Sequence, residues 1–480
     1  MSSTKTTGAD ADGDGRRSGF ALWGTRFQGS LADEAETLNR SLPLDRLLWR
    51  EEVQASAAWA EALAAAAVLS AEEKDAMVRG LERVAERLAA GAAERAPDED
   101  IHTLVERLLG DEVGALAGKL RTGRSRNDQA ATATRLWTLR ALDRLSADLG
   151  RLQSALLIQA EATIDVIVPA YTHMQRAQPI RMAHFFLSHF WPLARDRARL
   201  VDVQARASVM PLGSGAAAGS GFGVDREALR ESLGFQAVSP NSLDAVSDRD
   251  FVAEFAFSGA LLGTHFSRLA EDLILYSTAE FGFLRFDDAY STGSSLMPQK
   301  RNPDIAELAR GKSARLLGGV TSALSLLKGL PSGYNKDLQE DKAILFGVYD
   351  TLHLVLPPLA GAVETLQVNA HAAARALDPS ILAVDLADAL VLAGSTFHDA
   401  HEAVGSLVWL AEEKGISILE LDAEEARELH AGLPDAIAQL SSAAGIQLYE
   451  RSVEARTVSG GTARASVLEQ IEAARTSLSG

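Results

Sequence analysis

The chain has 480 residues, 47% of them hydrophobic and only 6% aromatic, with 47 Lys and Arg against 65 Asp and Glu for a formal net charge of −18. So acidic a surface repels phosphate backbones and anionic bilayers, which argues against nucleic acid or membrane as partner and requires any site for an acidic substrate to be a local basic pocket. There is no cysteine, so disulfides, thiolate nucleophiles and Cys-ligated zinc are excluded.

Residues 1–18 (MSSTKTTGADADGDGRRS) lack the apolar core of a signal peptide, and no later run approaches the roughly 18 consecutive apolar residues of a membrane span. A short disordered leader on a soluble cytoplasmic protein is expected. Leu22-Trp23-Gly24-Thr25-Arg26-Phe27 and Asn39–Asp45 predict a structured arm and a turn, followed by Ala-rich amphipathic helices between Trp49 and about Ala93. Ser41, in a Ser-Leu-Pro sequence, suits a helix N-cap. The next helix opens at Glu99-Asp100 and carries His102 and Glu106 four apart on one face; without further ligands beside them they predict a helix-surface pair rather than a metal site. Gly118-Lys119 is not a phosphate loop, because Leu120 follows where a hydroxyl is required. In Arg121-Thr122-Gly123-Arg124-Ser125-Arg126-Asn127-Asp128 three arginines stand beside Ser and Asn, which suits either bidentate capture of carboxylates or a solvated basic patch.

No proline interrupts the span from Pro97 to Pro169, and Leu142, Leu145, Leu149, Leu152 and Leu156 repeat there at spacings of 3, 4, 3 and 4, the seam of a long bundle helix. A second seam follows Leu262, Phe266, Leu269, Leu273 and Tyr276, and a weaker third follows Leu316, Val320, Ala323 and Leu327. Strand signals are nearly absent. Between the first two seams, Ala170–Pro179 is a polar segment with one histidine, His173, and a lone histidine is more often structural than catalytic. Gly213–Gly219 superficially offers a dinucleotide fingerprint, but no strand of a βαβ unit precedes it. Asn241–Asp250 is a further polar turn.

Two prolines and a Gly-Ser-Ser cluster make Gly293–Asp304 an exposed loop between apolar helices. It assembles two hydroxyls (Ser294, Ser295), a cation (Lys300), an amide (Asn302) and, one turn into the next helix, the carboxylate of Glu307. Gly333–Lys342 is another polar turn leading into a helix that Pro357-Pro358 should stop or kink near Leu356. From about Leu377 the helices shorten, with interruptions at Gly394, Gly415, Gly432-Leu433-Pro434 and Gly445. The fold class is therefore all-α: a leader (1–18), an N-terminal helical domain (19–125), a central long-helix bundle (126–375) and a small C-terminal helical domain (376–480).

The 293–302 loop resembles the GSSxMPxKxN signature of the fumarase/aspartase superfamily, which eliminates an amine or water from a succinyl group. Together with GRSRND at 123–128, YTHMQRAQPIR at 171–181, NSLDAVSDRDF at 241–251, YNKDLQEDK at 334–342 and Gly460-Gly461-Thr462-Ala463-Arg464, the chain from Trp23 onward resembles the argininosuccinate lyase family. The resemblance implies a homotetramer with a 20-helix core, each site shared by three subunits, and cleavage of N-(L-arginino)succinate to L-arginine and fumarate without metal or organic cofactor. It places Ser294 as a base acting through its alkoxide, His173 as the partner acid with Glu307 hydrogen-bonded to it, and Lys300 and Asn302 on the succinyl carboxylates; the roles of Ser294 and His173 are interchangeable at this stage. Ser41, Asn127, Thr172, Asn302, Tyr334, Gln339 and Lys342 match substrate-binding positions. Framing segments depart from the family pattern, with Trp23-Gly24-Thr25-Arg26 in place of Trp-Gly-Gly-Arg and unusual Val238-Ser239-Pro240 and Pro357-Pro358. A paralogous lyase acting on another N-substituted aspartate and a crystallin-like non-catalytic protein therefore stay open as alternatives.

Overall fold

Leu142, Leu145, Leu149, Leu152 and Leu156 are all buried along one face of a single 37-residue helix, Arg126–Ala162. Each such side chain contributes roughly 1.5–3 kcal/mol by leaving water. The computed structural model describes residues 31–479, so the leader expected at 1–18 and the arm at 22–27 lie outside the described residues. Helices dominate, and strands among the described residues are confined to four two-stranded pairings.

The chain forms two compact units. One comprises Met1–Arg140, Gln204–Phe251 and Leu326–Ala343, the other Ala141–Val203, Val252–Ser325 and Ile344–Gly480. In the first unit, helices Trp49–Ala65, Ala71–Ala89 and Ile101–Val113 pack around Trp59, Leu63, Met77, Leu81, Leu104 and Leu109, all at most 1% exposed. Ser70 and Glu73 form a reciprocal capping box on the second of these helices, and Asp100 caps the third by accepting the Thr103 amide at 2.7 Å.

In the second unit, residues from five long helices form a bundle: Arg126–Ala162, Met182–Ala207, Asp250–Ser277, Asp304–Leu327 and Asp341–Glu364. Side-chain pairs fix their order and direction. His265 meets Asp196 at 2.6 Å and His189 meets Asp272 at 3.0 Å, so the second and third helices run antiparallel. Gly263, where an added Cβ would lie 2.6 Å from the end of Leu316, lets the third and fourth helices approach closely. Asp148 reaches His353 at 2.7 Å, and Gln159 donates to the Val363 carbonyl at 2.9 Å, which sets the first and fifth helices parallel. The second seam is buried throughout, whereas in the third only Leu316 and Ala323 are buried. Leu308, Leu317 and Leu324 on that fourth helix are more than half exposed.

Pro357-Pro358 does not stop the fifth helix, which runs unbroken to Glu364. The carbonyls left without donors belong to His353 and Leu354, both exposed residues, where solvent can take the place of the missing N–H groups. By length and composition the helical stretch Lys336–Glu364 would pass for a membrane span, yet 56% of its apolar window is buried inside the protein, as in a core helix.

The tail folds as short helices around Leu386, Leu390, Leu407, Leu433 and Ile437. Its glycines fall at the junctions expected of them; Gly415, at φ 65°, takes the left-handed C-cap of Phe397–Lys414.

Candidate active site

In the first unit, four of the expected binding residues surround one buried charge network. Lys342, 4% exposed, donates to Asp341 Oδ1 at 2.9 Å and lies 3.8 Å from Asp45 Oδ1. Asp341 is also paired with Arg249, and Asp45 accepts the Ser41 hydroxyl. Burial alone would push the Lys342 ammonium down, but Asp341 and Asp45 outweigh it and hold it above its ordinary value. For Asp45 burial wins, raising its carboxyl despite Lys342 and Ser41. Burial likewise raises the half-buried Tyr334 phenol, which feels Lys342 and Arg249. Gln339 donates to the Asn39 carbonyl at 3.4 Å. Ser41 does occupy the N-cap position of helix Leu42–Asp45, but its hydroxyl makes no capping bond and turns to Asp45 instead. Sequence reasoning missed Asp45, Asp341 and Arg249. The i, i+4 spacing of Ser41 and Asp45 was the available signal.

Two of the three arginines of the arginine-rich loop are engaged within the protein, while Arg121 stays exposed, 3.6 Å from Glu106. Arg124 is buried, with Nη1 donating to Ser56 Oγ at 2.9 Å and lying 3.9 Å from Glu52. Arg126 holds Asp100 at 2.8 Å and Thr103 Oγ1 at 2.7 Å. Nor is His102 half of a surface pair with Glu106: it is buried and bonded through Nδ1 to Glu52 at 2.7 Å, because Glu52 projects into the same core from the Trp49–Ala65 helix. Burial opposes ionisation of Glu52, yet His102 and Arg124 overcome it and draw its carboxyl down to about 2. A cavity of about 540 Å³ opens among His102, Glu106, Arg121, Arg126 and Phe222.

Asp128 explains the glycine segment. Its carboxylate accepts the amides of Gly213 at 3.0 Å, Gly215 at 2.8 Å and Ser125 at 2.9 Å, so the loop wraps an internal anion. Burial raises this carboxyl to about 6 against those donors. The two-residue strand Val209–Met210 precedes the loop and pairs in parallel with Ala237–Val238, with helix Arg226–Leu233 between them, so a minimal β-α-β crossover stands where none was expected, although the glycine amides close on Asp128. Asn127 is held beside it, donating to the Ala216 carbonyl at 3.0 Å.

In the second unit, the polar segment around His173 is an antiparallel hairpin, Ile167–Thr172 with Gln175–Arg181, rather than a plain turn. Hydrophobic alternation failed to signal it because Pro169 and Pro179 face each other beside a bulge. His173 and Met174 form the tip with φ of 53° and 61°, a left-handed geometry that glycine or asparagine usually supplies. Both are exposed, as is Thr172. Tyr171 anchors the strand, its ring 5.4 Å from that of Phe281 and edge-on to it.

The serine loop closes on a two-residue ladder, Thr292 with Asn302 and Gly293 with Arg301. Asn302 Nδ2 donates to Thr292 Oγ1 at 3.3 Å, and Arg301 is tied to Asp288. At the tip, the Leu296 and Met297 amides donate to Ser294 Oγ at 3.3 and 3.0 Å. Lys300 and Glu307 are exposed. Among the described residues, no hydrogen bond or ion pair within the chain joins the His173 tip to this loop, and His173 and Glu307 do not bond each other. The arrangement therefore offers one donor-lined hydroxyl on a loop that also carries Lys300, an imidazole at a hairpin tip, and a buried network of two cations and two carboxylates with polar groups around it.

Comparison with known proteins gives concordant matches. The family described as Lyase matches residues 26–318, and the one described as Argininosuccinate lyase C-terminal matches 380–446. The argininosuccinate lyase of Herpetosiphon aurantiacus is 53% identical over 456 residues, 95% of this chain and 99% of that one. The probable argininosuccinate lyase of Schizosaccharomyces pombe is 45% identical, over 95% of this chain and 98% of the relative. Among solved structures, a variant of EDDS lyase with bound fumarate superimposes with a TM-score of 0.78 at 27% identity, covering 94% of this chain and 91% of that one. A class II fumarase from Schistosoma mansoni shares the fold, with a TM-score of 0.70 at 17% identity over 87% of this chain and 91% of the other.

Proposed function

The chain belongs to the argininosuccinate lyase family, and from that membership we infer that it is a lyase cleaving N-(L-arginino)succinate to L-arginine and fumarate. The near end-to-end likeness to curated argininosuccinate lyases carries the choice of substrate over another N-substituted aspartate. Retention of Ser294, His173 and Lys300 together stands against a non-catalytic role.

The difficult step is removal of a proton from the carbon beside a carboxylate, which leaves a dianion that must be stabilised where it forms. In this reading Lys300 and Asn302 take the succinyl carboxylates. Ser294 removes the proton as an alkoxide, a role supported by the two amides that converge on its oxygen. As the C–N bond breaks, His173 delivers a proton to the departing guanidino nitrogen, and Glu307 steadies the imidazole. Ser41, Asn127, Thr172, Tyr334, Gln339 and Lys342 bind the rest of the substrate. An acid–base pair and a carboxylate sink suffice for this chemistry, so the reading calls for no metal or organic cofactor.

The reading includes a cytoplasmic homotetramer whose sites are shared between subunits. Its support is that the His173 and Glu307 side chains make no bond to each other within one chain, and that Leu308, Leu317 and Leu324 on the fourth helix are left uncovered. It also retains the division into 19–125, 126–375 and 376–480, supported by the tail's own hydrophobic core. The test is turnover of a panel of N-substituted aspartates, with fumarate followed by its absorbance and the released amine identified. Release of arginine from argininosuccinate is expected; release of a different amine alone would replace the substrate, and no fumarate from any of them would remove the reading.

A further inference from the structure

The hairpin bearing His173 is held at its root by a part of the chain 281 residues further on: the Arg181 backbone N–H donates to Thr462 Oγ1 at 2.9 Å. Arg181 is the last residue of the second strand, and its side chain is 1% exposed. Its Nη1 donates to the Ile164 carbonyl at 2.7 Å and its Nη2 to Glu454, with Glu450 3.6 Å away. The other root is fixed as well. Asp165, just before the first strand, accepts Arg464 Nε at 3.1 Å, and the Arg464 amide returns to Glu454 Oε1 at 3.0 Å. The helix Ile446–Glu454 seals the strands from below through Leu448, Tyr449 and Val453 against Ile167.

The loop that presents Thr462 is built for close approach. A Cβ on Gly461 would stand 2.3 Å from the Arg456 carbonyl oxygen and 2.8 Å from that of Val458. This accounts for the Gly-Gly-Thr-Ala-Arg motif, which has no part in the chemistry described above. The hairpin tip, by contrast, holds two non-glycine residues in left-handed backbone, a geometry that persists only where the surrounding structure over-determines it. A root pinned on both strands supplies that constraint.

We propose that the tail segment from Glu454 to Arg464 is a positioning element for His173, acting through Thr462 on Arg181 and through Arg464 on Asp165 to fix the hairpin tip. It rests on the reading of His173 as the acid of the elimination. A ring displaced by a fraction of an ångström reaches the leaving nitrogen less often while Lys300 and Asn302 are untouched and, of the binding residues, Thr172 moves with the hairpin, so kcat falls by much more than KM rises.

The experiment compares Thr462→Val, Thr462→Ser and Arg464→Gln with the parent enzyme and with His173→Ala, in steady-state kinetics on argininosuccinate and in thermal unfolding. Thr462→Val is expected to lose about tenfold in kcat with KM within about twofold, and Thr462→Ser, which keeps the accepting oxygen, to return within about twofold of the parent. Arg464→Gln, at a half-exposed site, is expected to fold and to lose kcat in the same sense even if Thr462→Val does not fold. Parent-like kcat in Arg464→Gln and in any folded Thr462→Val, with His173→Ala inactive, overturns the positioning role and leaves the function intact. Loss confined to KM, or no rescue by serine, also overturns it. Full activity in His173→Ala removes the reading of the acid, and the proposal with it.

Discussion

The backbone amide of Met297 lies 3.0 Å from the Ser294 hydroxyl oxygen, with the Leu296 amide at 3.3 Å from the same atom. Donors aimed at an oxygen favour its charged form, which supports the proposed role of Ser294 as the base. Ser294→Ala is expected to lower kcat by about 10²–10⁴ while calorimetric binding of argininosuccinate persists. Loss of binding in parallel with kcat would assign Ser294 to substrate capture instead.

Lys300 is exposed in the single chain, which suits a cation that meets its anion only when the loop closes. Lys300→Met should remove roughly 3 kcal/mol or more of transition-state stabilisation, about a hundredfold or more in kcat/KM. Lys300→Arg, with its planar fork in place of a point charge, should recover only part of this. Parent-like kcat/KM in the methionine variant would show that the negative charge is stabilised elsewhere.

Because the His173 tip and the serine loop are not bonded within one chain, mixed oligomers provide a test of site sharing. Unfolding and refolding Ser294→Ala together with His173→Asn should restore a fraction of the parent activity, as some mixed assemblies contain an intact site. Absence of recovery, with exchange of subunits verified by mass, would place both residues in the same chain's site.

Glu52 links acid stability to the buried network. Its folded value of about 2 lies below the ordinary 4.5, because His102 and Arg124 outweigh the opposing effect of burial. A depressed carboxyl contributes stability that is complete above pH 4.5 and lost as pH falls toward 2, here roughly 3 kcal/mol. Denaturant midpoints should fall across that window in the parent and far less in Glu52→Gln, which at neutral pH should itself be less stable by about 3 kcal/mol for leaving His102 and Arg124 without their anion. An unchanged acid slope in the variant would locate the titration in another group.

Gly461→Ala should destabilise by about 2–3 kcal/mol, since the new Cβ meets rigid backbone oxygens rather than a yielding side chain. Gly118→Ala, with nothing within 4 Å of the added carbon, should change the unfolding midpoint little. Equal effects of the two would mean that the tail loop readily rearranges.

The sequence by itself determined the helical architecture and most of its punctuation. A leucine every third or fourth residue leaves one stable solution, a helix buried on that face, and the first and second seams are buried at every predicted position. The polar corners were equally legible as motifs, because each concentrates functional side chains in a short stretch. What tertiary structure alone decided is where charges find their partners. His102 bonds to Glu52, fifty positions away, and not to its helical neighbour Glu106; Arg249 pairs with Asp341; Asp128 fills the glycine loop; and Thr462 holds the root of the His173 hairpin. Hydrophobic burial follows local periodicity and can be read along the chain, whereas a buried ion pair is specified by distance and desolvation in space, which sequence separation does not encode.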